Sequence, residues 1–151
     1  MTDGVLVREA VPEDAPALAR IAARAYRAAF GAILEPEALA LRDTGFFAER
    51  FGEAWPRMRV AKRGRRALGF SLVTGTHLDM LFVDSEAAGE GAGSALLRRV
   101  EAEGTRTLEA FRDNHAARAF YERRGWTLRR DYERDFLGRS RAFVLYGKDP
   151  A

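Results

Sequence analysis

The chain contains no cysteine. That removes disulfides, thiolate metal sites and a cysteine nucleophile together. Histidine is nearly as scarce, with only His77 and His115, and no acidic stretch has EF-hand spacing, so no metal is expected. Lysine is almost missing too: all of the 25 basic residues except Lys62 and Lys148 are arginine. No apolar run approaches the length that spans a bilayer. The opening Met1-Thr2-Asp3-Gly4 lacks the basic start and apolar run of a secretory leader. These absences predict a cytoplasmic protein with no membrane partner. The net charge is only +3 and acidic residues are interleaved throughout. The short basic run Arg63-Gly64-Arg65-Arg66 falls where a hairpin turn is expected, so nucleic acid is not an expected partner. Without repeats, low-complexity tracts or linkers, the 151 residues read as one domain over 1–151, long enough to bury a core.

A short strand is predicted over 5–8. Pro12-Glu13-Asp14-Ala15-Pro16 then announces a helix, with Glu13 or Asp14 as its cap and Pro16 in its first turn. Leu18, Ile21, Ala22, Ala25, Tyr26 and Ala29 recur on one helical face. The stretch 30–56 is the hardest to read. Pro36 starts a short helix, and Phe46, Phe47, Phe51 and Trp55 form an aromatic stripe that suits the core better than a pocket wall. Strands are predicted over 57–62, 67–76 and 78–83, the last apolar enough for a central, doubly covered position. A helix over 91–103, a strand over 107–111 and a helix over 114–124 follow. A last hairpin, 126–135 and 141–147, turns at Leu137-Gly138-Arg139. The order predicts a mixed α/β (α+β) chain with a largely antiparallel first half.

Between the central strand and the helix that follows stand Gly89, Gly91 and Gly93. Glycine lets the backbone come close to a ligand. A helix start offers unpaired N–H groups and a positive dipole end, so together they can cradle a phosphate. No lysine follows as in a P-loop, and Ser94 stands where a Rossmann fingerprint wants a third glycine. Alone, the cluster is equally a packing turn.

A second motif follows it: Asn114, Ala117, Phe120-Tyr121, then Gly125-Trp126. In this order, after a glycine-rich helix start, the pattern resembles the GNAT superfamily of acetyl-CoA-dependent N-acetyltransferases. The resemblance covers nearly the whole chain and is most specific over 78–126. It implies a GNAT-like fold: a central mixed, mostly antiparallel six- to seven-stranded sheet, splayed at its centre and flanked by about four helices. It implies acetyl-CoA as co-substrate, with its pantetheine arm beside Leu81, Phe82 and Val83. The pyrophosphate would lie on Ala88, Gly89, Glu90, Gly91, Ala92, Gly93 and Ser94, with Asn114 also at the cofactor. It implies Tyr121 as the general acid, a small-molecule or peptide amine as acceptor, and room for a homodimer.

The pattern departs at Ala88, where arginine or glutamine is usual, and at Glu90, where a carboxylate would face pyrophosphate. The loss of one charge-assisted hydrogen bond, roughly 1.5–3 kcal/mol, weakens binding about tenfold or more. Ala88 therefore keeps open a non-catalytic acyl-CoA-binding or regulatory module as the alternative. Acetyl transfer also needs a neutral amine. His77 and Asp79, at the start of the central strand, are the candidates to take its proton, and regular alternation puts them on one face unless a bulge intervenes.

Overall fold

The computed structural model describes residues 4–150. Met1 to Asp3, on which the expectation of no leader partly rests, lie outside the described residues. Seven strands form one sheet: β1 (Val5–Glu9), β2 (Met58–Arg63), β3 (Arg66–Thr74), β4 (His77–Val83), β5 (Thr107–Phe111), β6 (Thr127–Phe136) and β7 (Arg139–Gly147). Their spatial order is β1-β2-β3-β4-β5-β7-β6. Every neighbouring pair is antiparallel except β4 and β5. That one parallel pair forces a crossover, and the chain makes it through a helix.

Five helices flank the sheet rather than about four: α1 (Ala15–Phe30), α2 (Pro36–Ala40), α3 (Thr44–Ala54), α4 (Ala92–Ala102) and α5 (His115–Glu122). The extra one comes from the hard-to-read stretch. Pro36 opens α2 at its first position, where a missing N–H is harmless. Asp43 then caps a separate α3, its Oδ1 accepting from the Phe46 N–H at 2.8 Å. Asp14 stands at the N-cap position of α1 but does not cap it with its side chain. Its carboxylate instead takes the Arg8 guanidinium at 2.7 and 2.9 Å and the Val11 N–H at 2.8 Å, tying β1 to the start of α1.

The two faces of the sheet carry separate cores. On one, Leu18, Ile21 and Tyr26 of α1 and Phe47 and Phe51 of α3 pack on Val60, Phe70, Leu72, Phe111 and Phe143. On the other, Leu97 and Val100 of α4 and Tyr121 of α5 pack on Leu78, Leu108, Val144 and Tyr146. Phe47 and Phe51 are wholly buried. Each such phenylalanine stabilises the fold by about 1.5–3 kcal/mol over leaving it in water.

Two hairpins, β2–β3 and β6–β7, are tighter than predicted. Arg63 pairs with Arg66, and Phe136 with Arg139, so only two residues make each turn. In the second, Leu137 (φ 52°) and Gly138 (φ 82°) both take the left-handed region. Leu137 is the one non-glycine to do so among the described residues, and its side chain packs on the first core.

This hairpin is tied to the helical layer by Arg141, whose Nη1 and Nη2 reach the Glu35 carboxylate at 3.0 and 2.6 Å. The Arg141 hydrogen bonds, with a main-chain N–H, pull the Glu35 carboxyl from its ordinary 4.5 down to about 2. A depressed carboxyl favours the folded state above its unfolded value and loses that contribution as pH falls through its folded one. Glu35→Gln is therefore expected to melt below the parent chain at pH 7. The gap should close steadily between about pH 4.5 and 2, followed as thermal melts across pH. A gap independent of pH would remove the pair from the acid response.

Candidate functional site

β4 and β5 pair only at His77 with Thr107 and Leu78 with Leu108. Beyond Leu78 the strands part, and the main-chain groups on the β5-facing edge of β4 have no strand to meet. The central strand is thus covered on both faces yet open along one edge. The resulting cleft has two lobes that meet at Leu81, Phe82, Ala117 and Tyr121.

A bulge sets which β4 side chains face where. Leu72 pairs with Met80 and Val73 with Leu78, so Asp79 is the extra residue. Leu78, Leu81 and Val83 consequently pack on the α4–α5 side, while Met80 and Phe82 pack toward α1. Regular alternation, the premise for placing His77 and Asp79 on one face, fails at Asp79. His77 Nδ1 lies 2.8 Å from Thr107 Oγ1. Asp79 accepts from the Thr74 hydroxyl and sits 3.7 Å from Arg57 Nη1.

The first lobe, about 730 Å³, is floored by the turn from β4 into α4. Asp84 is buried, paired with Arg24 at 2.9 Å, and receives the Glu86 N–H at 3.3 Å, so a single 3-10 turn (Ser85–Ala87) follows. Gly89 (φ 82°) and Gly91 (φ 90°) then adopt left-handed backbone. Gly91 is the N-cap of α4 and has no side chain to accept the first N–H groups of the helix. Ala88, Gly89, Gly91, Ala92, Gly93 and Ser94 all border this lobe. At Gly93 a Cβ would stand 3.4 Å from the Phe120 ring, so the backbone there packs close to α5. Arg124 forms the far wall, lying 3.8 Å over Phe120 and donating to Ser94 Oγ at 2.8 Å.

Glu90 does not line either lobe. Its carboxylate is bonded by Arg63 and, at 3.3 Å, by Arg66. The basic run read as a mere hairpin turn reaches across to hold it. The expectation that Glu90 opposes a bound pyrophosphate thus meets a carboxylate that is turned away and neutralised.

The second lobe, about 680 Å³, lies between β4, β5, α3 and the β6–β7 hairpin. His77, Asp79, Asn114 and Tyr121 all line it. Asn114 lines this lobe and caps α5, its Oδ1 accepting from the Ala117 N–H at 3.3 Å. Glu109 enters from β5, held by the Tyr132 hydroxyl and by Arg134 at 2.5 and 2.9 Å. Burial pushes the Glu109 carboxyl up, but Arg134 and Tyr132 outweigh this and leave it below the usual carboxylate range.

Tyr121 lines both lobes, and among the described residues its hydroxyl has no hydrogen-bond partner. Burial holds it above its ordinary value near 10. Several lining residues escaped the sequence reading: Ala28 of α1, Tyr26, Arg42, Arg50, Glu109 and Arg134. A signal existed for the first, since Ala25, Ala28 and Ala29 put only small side chains where α1 meets the cleft. The arginines come together only through the fold.

The family model of an acetyltransferase (GNAT) domain matches residues 47–128. No curated protein matches the sequence. Among solved structures, the chain is similar to the apo form of YjaB from Escherichia coli, with TM-score 0.82 and 24% identity over 97% of this chain and 99% of that one. It is similar to the PaiA N-acetyltransferase from Thermoplasma acidophilum in complex with coenzyme A, with TM-score 0.74 and 16% identity over 96% and 99%. The ribosomal-protein-S18-alanine N-acetyltransferase of Escherichia coli gives TM-score 0.64 and 23% identity over 97% and 94%. At these identities the likeness is one of fold.

Proposed function

The chain belongs to the GNAT family of acetyltransferases, and from that premise we propose that it moves an acetyl group from acetyl-CoA to a primary amine by direct attack, with Tyr121 as general acid. The observation that carries the reading is the two-lobed cleft whose lobes meet at Tyr121. The first lobe fits the cofactor. Its helix start carries orphan N–H groups with no side-chain acceptor, and its wall includes the unpaired edge of β4. In this reading Leu81, Phe82 and Val83 line the pantetheine arm, and the main chain from Ala88 to Ser94 holds the pyrophosphate. The missing side chain at Ala88 costs one contact, while the Glu90 clasp removes the repulsion.

Acetyl-CoA supplies the activated acyl carbon as a thioester. The new C–N bond forms as the C–S bond breaks, so the amine must lose a proton and the sulfur must gain one. Tyr121 donates to the sulfur; held protonated by burial, it is a donor at neutral pH. In this reading an unpaired N–H on the open edge of β4 donates to the carbonyl oxygen as it gains charge, and the parting of β4 from β5 beyond Leu78 supports that role. His77 takes the amine proton, directly or through water. Asp79 is the weaker candidate because the Thr74 hydroxyl and Arg57 already engage its carboxylate.

Titration calorimetry with acetyl-CoA, followed by CoA release over a panel of amines, tests the reading. Saturable binding with amine-dependent release is expected, and His77→Ala should lower kcat while sparing acetyl-CoA affinity. Binding without release to any amine would favour the non-catalytic module.

A further inference from the structure

The second lobe carries more positive charge than its own carboxylates can absorb. Arg42, Arg50 and Arg134 line it, against Asp79 and Glu109. Both carboxylates are occupied: Glu109 by Arg134 and the Tyr132 hydroxyl, and Asp79 by the Thr74 hydroxyl with Arg57 beside it. Arg42 and Arg50 have no ion pair among the described residues. Arg42 is nevertheless held in place, its guanidinium 4.2 Å over the Phe46 ring and 5.6 Å from that of Phe136. Beside it stands a buried hydroxyl. Tyr26 is 6% exposed and lines the lobe, and its buried hydroxyl lies beside the Arg42 guanidinium without closing a well-formed hydrogen bond to it or to any other group. A buried hydroxyl without a partner is costly and uncommon in a folded protein.

Taking the amine-acetylating reading of this cleft as its basis, we propose that the acceptor is a primary amine that also bears an anionic group, bound by Arg42 and Arg50 with the Tyr26 hydroxyl as a further donor. A carboxylate is the best match, since guanidinium forks bind it through parallel hydrogen bonds. The anionic end sits at the α3 wall and the amine reaches the Tyr121 side of the lobe. The same arginines disfavour an ammonium ion inside the lobe, which assists the loss of the amine proton. Polycations such as polyamines and aminoglycosides meet like charge there and no free carboxylate.

The test uses the CoA-saturated protein and titrates free L-amino acids against their α-amides, with O-phosphoethanolamine and spermidine alongside. The anionic members should bind about tenfold or more tighter than their neutral counterparts, the scale of one lost charge-assisted hydrogen bond. Arg42→Ala and Arg50→Ala should each erase most of that difference while the melting temperature and CoA affinity hold. A preference for O-phosphoethanolamine over the carboxylates would support the anion site and identify phosphate as its group. Amides or spermidine binding as tightly as the acids would overturn the proposal, as would arginine variants that weaken every ligand alike. Acetyl-CoA turnover is read separately on the same panel. Anion-selective binding without any CoA release would uphold the anion site and fault acetyl transfer instead.

Discussion

Tyr121→Phe is expected to lower kcat by ~10²–10⁴-fold, the span of a lost general acid, and to leave the Kd for acetyl-CoA unchanged. The substitution is unusually clean. The Tyr121 ring packs with Leu78, Trp126 and Phe120, and phenylalanine keeps those contacts. The hydroxyl holds no other residue, so its removal leaves nothing unpaired. A fall in kcat then reports proton donation and not a disturbed α5. Burial raises the tyrosine above its ordinary value near 10, so it remains a donor throughout the neutral range. The same shift has a stability sign. The folded state keeps a proton that the unfolded state gives up, so Tyr121 makes stability decline as pH rises past about 10. Tyr26, Tyr132 and Tyr146 are raised as well, so the phenylalanine variant should show a shallower decline and not a flat one. Unchanged kcat at saturating acetyl-CoA and amine would take Tyr121 out of the chemistry.

Most of the scaffold was legible in the sequence because its signals are local. The apolar period of α1, the continuous run of β4 and the glycines before α4 each declare an element within a few residues. The segment from Phe30 to Pro56 was not legible, for an equally local reason. Gly45 and Gly52 dilute the helical propensity of α3, and two short helices with separate starts blur any single period. The aromatic stripe there met both readings. Phe47 and Phe51 are core, while Phe46 and Phe47 also line the second lobe.

The candidate site divides the same way. Gly89, Gly91, Ala92, Gly93, Ser94 and Tyr121 border the cleft because main chain and helix face fix them. What a side chain does within the site depends on partners far along the chain, and sequence spacing is blind to those. Glu90 looked like a misplaced charge until Arg63 and Arg66, on another hairpin, came to meet it. Asn114 caps α5 through its bond to Ala117 and lines the second lobe, a double placement that motif spacing does not convey. Asp79 turned on one bulged residue.

Gly91→Val is expected to weaken acetyl-CoA binding by about ten- to a hundredfold, the loss of one or two charge-assisted hydrogen bonds. Gly91 sits at φ 90° and ψ 4°, where a β-branched residue is a genuine outlier. A valine must either hold that strained backbone or relax it, and relaxation re-aims the N–H groups of Ala92, Gly93 and Ser94. A polar N-cap would satisfy those groups internally; glycine leaves them for the ligand. The cost therefore falls on binding more than on the α4 helix, whose Leu96, Leu97 and Val100 stay buried. Gly138→Val is the control, since Gly138 takes a similar backbone (φ 82°) in the β6–β7 turn and borders neither lobe. It should lower the melting temperature and spare acetyl-CoA affinity. Equal losses of affinity in both variants would mean that backbone strain anywhere suffices, and the main-chain cradle at Gly91 would have no special part.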